Sequence, residues 1–251
     1  MAKVGVIGGS GLENPEILKN PREVTVETAY GQPSSPLSEG TIDNVPVAIL
    51  ARHGRKHTFP PTQVNNRANI QALKDRGCTH ILATTACGSL RKEIRRGDFV
   101  VLDQFIDFTR HRSVSFYERF DGGVENVKHT PMPDPFSEYL RNLLLEEAGK
   151  MDVRVHERGT VVTIEGPRFS TRAESRMFQL WGADVINMSL APEAILANEA
   201  GIPYAAVALS TDYDCWKTDE PPVDWDEILR VFGRNVENVT TLLLRVIPRI
   251  T

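Results

Sequence analysis

Short β-branched runs alternate with stretches of helical spacing along the whole chain, and this alternation limits the fold more than any other feature. Val4 to Ile7, Val45 to Ala51, Ile81 to Thr85, Phe99 to Leu102, Val185 to Met188 and Tyr204 to Ser210 read as buried strands. Between several of them, Val64 to Asp75, Tyr139 to Ala148 and Thr171 to Trp181 repeat apolar residues at helical spacing, as Ala173, Met177, Phe178 and Trp181 do. Thr171 with Glu174 has capping-box spacing. Pro192 and Glu193 suit the first turn of a helix from Ala191 to Ala200, which Gly201 can end. Asp224 with Glu227 opens a last helix that runs to Pro248. Strand and helix in alternation predict an α/β fold. Gly31 to Ser38 and Asp121 to Pro135, rich in Gly, Pro and polar residues, read as loops inside one domain spanning residues 1–251.

Composition removes several function classes. Hydrophobic residues make up 41% and charged residues 25%, ordinary values for a folded chain, so the chemistry has to sit in a folded site. Lys and Arg number 29 against 33 Asp and Glu, a net charge of -4, and without a basic excess we expect no nucleic-acid partner. The longest apolar stretches, such as Val45 to Ala51 and Ala205 to Leu209, fall far short of the ~20 residues that a membrane helix needs. The N-terminus reaches Gly8 before a signal-peptide core accumulates, so a cytoplasmic location is expected. Cys78, Cys87 and Cys215 are odd in number and lack Cys-x-x-Cys spacing, which predicts reduced thiols rather than disulfides or structural zinc.

Four segments could carry chemistry. Gly8-Gly9-Ser10-Gly11 follows a strand and lets the backbone approach a phosphate, although a plain tight turn would look the same. Arg52-His53-Gly54-Arg55-Lys56-His57 puts three cations and two histidines directly after a strand, either as an anion site or as a solvated loop; the histidines lack the acidic companions of a zinc helix. Thr84-Thr85-Ala86-Cys87-Gly88-Ser89 reads as a small-residue loop whose N–H groups and hydroxyls could face an oxyanion. Cys87 has no assignable histidine partner and reads as packing. Asp212 and Asp214 emerge together beyond the most apolar strand of the second half, as proton-transfer acids or as turn residues.

Together, Gly8-Gly9-Ser10-Gly11-Leu12, Ala51-Arg52-His53-Gly54-Arg55, Thr84 to Leu90, Glu165-Gly166-Pro167-Arg168-Phe169, Asn187-Met188-Ser189 and Thr211 to Lys217 resemble the 5′-methylthioadenosine phosphorylases over nearly the whole chain. That family belongs with the trimeric purine nucleoside phosphorylases. The resemblance implies a central mixed β-sheet, partly barrel-like and flanked by helices. It also implies phosphorolysis of 5′-methylthioadenosine to adenine and 5-methylthioribose 1-phosphate, a step of purine and methionine salvage. Inorganic phosphate is the co-substrate; no cofactor or metal is expected. By the same carry-over, phosphate is held by Ser10, Arg52, His53, Thr85, Ala86 and Ser189. Phe169 stacks on the purine, and Met188 lies under the ribose. Asp214 protonates purine N7 while Asp212 reads the exocyclic amine. His129 reaches across a subunit interface, and Trp225, Ile228 and Leu229 surround the methylthio group. The assembly expected is a homotrimer, or two trimers joined as a hexamer. Trp225 is bulkier than the family's small aliphatic residue, and the sequence ends at Thr251 where relatives continue into another helix. Both lead us to expect a more open 5′ side that also accepts adenosine. The enzymatic alternative is a purine nucleoside or methylthioinosine phosphorylase acting on 6-oxopurines, whose members carry asparagine where this chain has Asp212. A non-catalytic nucleotide-binding module is the alternative from another class; it would have no use for Asp214.

Overall fold

A computed structural model describes residues 2–9, 15–120, 122–219 and 225–251, with the side chains of 225–229, 232 and 234 left aside. The elements in chain order are β1 (Val4–Gly8), β2 (Lys19–Val24), β3 (Leu37–Ile42), β4 (Val45–Ala51), α1 (Asn66–Asp75), β5 (His80–Ser89), β6 (Phe99–Val101), β7 (Gln104–Phe108), α2 (Glu138–Ala148), β8 (Val155–His156), β9 (Thr160–Ile164), α3 (Arg172–Leu180), β10 (Val185–Asn187), α4 (Leu190–Glu199), β11 (Tyr204–Asp212) and α5 (Trp225–Val246). All the described strands join one mixed sheet, ordered β2-β3-β4-β1-β5-β10-β9-β7, with β11 branching from β5, β6 pairing β11 and β8 pairing β6.

Strands β5 and β11 are buried almost throughout because helices cover both faces. On one face, Ile70 and Leu73 of α1 and Ala194, Leu196 and Ala197 of α4 close a core with Ile7, Leu50 and Ile81. On the other, Leu140 and Leu144 of α2 meet Val239, Leu242, Leu243 and Val246 of α5 over Val207 and Leu209. A smaller cluster seats Phe178 of α3 on Val162, Ile164 and Ile186. The capping box expected at Thr171 is present: the Thr171 hydroxyl accepts from Glu174 N at 3.2 Å, and the Glu174 carboxylate accepts from Thr171 N at 2.8 Å. The expected opening of the last helix at Asp224 lies outside the described residues. No helix among the described residues is long and apolar enough to cross a membrane.

Two loop expectations are corrected. Leu37 and Ser38 begin β3, whose hairpin with β4 turns at Asp43 and Asn44, both at positive φ. Thr84 to Ser89 is the second half of β5, held in strand form by β11 along Thr84 to Gly88. The opposite edge of β5 is interrupted. β1 pairs it only through Ala83, and β10 joins only at Gly88. Among the described residues no strand covers Thr84 to Cys87 on that edge, and the functional site opens there.

Candidate active site

Four further strand ends converge on this break. β4 runs into Arg52 and His53, β9 into the Gly166–Pro167 turn, β10 into Met188 and Ser189, and β11 ends on Asp212. Carboxyl ends of strands in an open α/β sheet are where ligand crevices form. Here they enclose a cavity of about 500 Å³, the size of a small-molecule site. Arg52, His53, Thr85, Ala86, Phe169, Met188, Ser189, Asp212 and Asp214 all line it, so the expected cations, hydroxyls and acids share one space. Ser10 lies outside the described residues, as do the side chains of Trp225, Ile228 and Leu229, whose backbone belongs to α5. His129 does not line the cavity of its own chain: it is exposed in the loop before α2, its ring 5.9 Å from that of Phe120.

Arg52 is 1% exposed, and an isolated guanidinium could not be buried at tolerable cost. Glu193 of α4 supplies the counter-charge: Arg52 Nε and Nη2 donate to its two carboxylate oxygens, the second at 3.0 Å, while Nη1 donates to the Thr84 carbonyl at 2.9 Å. The Tyr204 hydroxyl also donates to Glu193, at 2.9 Å. Glu193 reads from sequence only as a first-turn acid, and its partner lies 141 positions away. A Cβ on Gly9 would come within 3.3 Å of Arg52 Nη1, so the glycine lets the guanidinium lie against β1's end.

Beside it, His53 Nδ1 lies 2.9 Å from the Phe59 carbonyl, and because a carbonyl only accepts, Nδ1 carries the proton. Burial, and then the Arg52 charge, push the His53 pKa down to about 4, so the ring is neutral at pH 7 with Nε2 as a lone-pair acceptor. The His57 ring lies 4.5 Å from it, and Phe59, Pro60 and Pro61 add an apolar wall. That wall carries a sequence signal, an aromatic followed by two prolines, outside the expected site.

Ser189 precedes α4 without capping it. Its hydroxyl instead lies 3.4 Å from that of Thr85, while Asn187 Nδ2 donates to the Thr85 hydroxyl at 3.3 Å and Asn187 Oδ1 accepts from Thr163 at 2.8 Å. A helix N-terminus, two hydroxyls and a cation in one corner suit an oxyanion.

The acids are placed by a register shift in β11 between Ser210 and Asp212, the kind of bulge that re-aims a side chain. Asp212 Oδ1 accepts from Asp214 N at 2.8 Å, and its Oδ2 lies 2.9 Å from the Thr211 hydroxyl. Asp214 has φ 48°, and its Oδ2 is buried with no hydrogen-bond partner among the described residues. Burial raises its carboxyl to about 6; the Ser175 and Ser170 hydroxyls oppose that rise and the Asp212 charge adds to it. A buried carboxyl that titrates near 6 keeps a protonated fraction at neutral pH and is equipped to give up a proton. Both acids pack on Gly88, where a Cβ would fall 2.9 Å from Asp212 Oδ1 and 3.1 Å from Ile186 Cγ2. Gly88→Ala is therefore expected to destabilise the protein by about 1–3 kcal/mol through overpacking, read as a lowered denaturant midpoint with an unchanged m-value.

Buried acids and a corner of hydroxyls and a cation share the strand ends of this mixed sheet. The chain belongs to the phosphorylase superfamily, whose family model matches residues 3–248. Within it the chain belongs to the S-methyl-5′-thioadenosine phosphorylases: it is 53% identical to the protein of that name from Xenopus tropicalis over 249 residues, covering 99% of this chain and 89% of that one. It is also similar to the methylthioadenosine phosphorylase of Schistosoma mansoni solved with adenine, at 43% identity and a TM-score of 0.92 over 99% of this chain and 92% of the other. A point mutant of that protein, there called adenosine/methylthioadenosine phosphorylase, is solved with methylthioadenosine and gives 43% identity and a TM-score of 0.91, covering 99% and 91%.

Proposed function

We propose that this protein cleaves 5′-methylthioadenosine with inorganic phosphate, giving adenine and 5-methylthioribose 1-phosphate, and that it does so in the cytoplasm as a homotrimer serving purine and methionine salvage. One observation carries the reading: Asp212 and Asp214 line the same cavity as Arg52 and Ser189. Phosphate takes the corner of Ser10, Arg52, His53, Thr85, Ala86 and Ser189. The neutral His53 ring fits a phosphate that still carries one proton, because its Nε2 can accept a P–OH.

The purine lies against Phe169, and the ribose lies on Met188. As the bond from the anomeric carbon to N9 lengthens, positive charge grows on the sugar, and the phosphate anion stabilises it before forming the new C–O bond. The electron pair of the broken bond passes into the purine, where Asp214 delivers its proton to N7. No cofactor or metal enters this scheme. His129 of a neighbouring copy and the α5 residues Trp225, Ile228 and Leu229 take the 5′ substituent, and adenosine is accepted as a second substrate, in keeping with the name of the Schistosoma relative.

Asp212 accepts from the 6-amino group, and a 6-oxo base would instead set a carbonyl against a carboxylate. Leaving such a pair unmatched costs ~1–3 kcal/mol, roughly a ten- to hundredfold preference. Asp212→Asn is thus expected to move kcat/KM toward inosine; an unchanged adenosine-to-inosine ratio would remove Asp212 from that role. The reading as a whole is tested by adenine release from methylthioadenosine, which should depend strictly on added phosphate. Release at the same rate in phosphate-free buffer would overturn it.

A further inference from the structure

The segment Thr109-Arg110-His111-Arg112-Ser113 after β7 looks like a solvated basic run, yet the Arg112 side chain is only 3% exposed. Glu165 pairs with it at 3.3 Å from Nε, the Asp107 and Glu193 charges act on it as well, and the Glu165 carboxylate also accepts Arg110 N at 2.5 Å and His111 N at 3.2 Å. The strongest bonds of the guanidinium go elsewhere: Nη1 donates to the Met188 carbonyl and Nη2 to the Glu165 carbonyl, each at 2.6 Å. Burial lowers the Arg112 pKa, which marks the cost of holding this cation inside.

Those two carbonyls belong to the ends of neighbouring strands. The main-chain ladder between β9 and β10 stops at Thr163 and Asn187. One residue beyond Asn187 and two beyond Thr163, Arg112 bridges the Met188 and Glu165 carbonyls as a side-chain rung where backbone pairing has ended. Beyond Glu165 come Gly166 and Phe169, and Gly166 is packed so closely on Met188 that a Cβ there would lie 2.5 Å from Met188 Sδ. The Met188 carbonyl and the Ser189 N–H are also the two ends of one peptide group. That N–H makes only a long contact, 3.5 Å, to Asn187 Oδ1, which an anion can replace, and a cation on the carbonyl makes it a stronger donor toward that anion. The Arg112 charge reaches His53 as well, where it helps to disfavour the imidazolium.

We propose that Arg112 is a positioning residue for both substrates: its fork sets the spacing between the Phe169 turn and Met188 that grips the nucleoside, and its charge strengthens the Ser189 donor that meets phosphate. The proposal rests on the phosphorolysis reading above. Arg112→Lys keeps the charge but not the two-pronged geometry, whereas Arg112→Met loses both, so the two variants separate the roles. Steady-state kinetics on methylthioadenosine and phosphate, melting temperatures, and calorimetric titration with adenine form the experiment. For Arg112→Lys we expect the nucleoside KM and the adenine Kd to rise roughly tenfold or more, with the phosphate KM within about threefold of wild type. For Arg112→Met we expect both KM values to rise roughly tenfold. Lowered melting temperatures with both KM values and the adenine Kd unchanged would show a structural prop only and overturn the proposal. A wild-type protein that neither binds adenine nor turns over would overturn the phosphorolysis reading, and this proposal with it. Normal wild-type activity with unaffected variants would remove Arg112 alone.

Discussion

Asp214→Asn is expected to lower kcat by about 10²–10⁴-fold while leaving the phosphate KM close to wild type. Asparagine tolerates the left-handed backbone found at this position, φ 48°, and can still donate a hydrogen bond to N7, so the substitution isolates proton delivery from shape. It also removes a titration. With its carboxyl raised to about 6, Asp214 is protonated below that pH and loses its proton above it. The acid form is the reactive one, so wild-type kcat/KM should fall about tenfold per pH unit on the alkaline side of 6. The ionisation of phosphate is common to both proteins and cancels in the ratio of wild type to variant. That ratio should therefore decline with rising pH. A ratio flat from pH 5 to 8, or a kcat loss below about tenfold, would assign N7 protonation to another group.

The second large effect concerns the charge pair behind the phosphate corner. Removing Glu193 takes away the carboxylate that holds Nε and Nη2 of the buried Arg52 guanidinium, and breaking such a pair costs about 3–5 kcal/mol. For a chain of 251 residues, Glu193→Ala should lower the melting temperature by roughly 6–20 °C. The attraction between the partners is not itself the source of stability, since desolvation offsets most of it. A triple variant, Arg52→Met, Glu193→Leu and Tyr204→Phe, removes both charges and the hydroxyl that joins them, takes a donor from the Thr84 carbonyl alone, and should recover much of the lost stability while failing to bind phosphate. If Glu193→Ala melted within about 2 °C of wild type, the pair would have to be relaxed or hydrated in solution.

The legible parts of the molecule were those with local signals. Val45 to Ala51 and Tyr204 to Ser210 are apolar runs that only a buried strand accommodates, and the Arg52-His53 and Asp212 to Asp214 groups follow them directly. β2 shows no such signal: it is a polar, exposed edge strand held by one neighbour. Thr84 to Ser89 misleads because small hydroxyl residues imply a loop, and what keeps them extended is β11, more than a hundred positions away in the chain. The same holds within the site. Glu193 and Arg112 act through partners 141 and 76 positions distant, and neither periodicity nor spacing reports a contact of that range. Gly88 and Gly166 are quoted in family motifs, but the reason each must lack a side chain is a clash that only the fold creates.

The interruption along β5 also limits how such an enzyme can change. Its length is counted in whole residues between Ala83 and Gly88, so it can be resized only in increments of about 3.3 Å. Any odd insertion or deletion there would turn the remainder of the strand inside out, sending Thr85 and Gly88 to the wrong surface. New substrate preferences are therefore more readily acquired in the connecting loops than in the central ribbon, where the dimensions are effectively quantised.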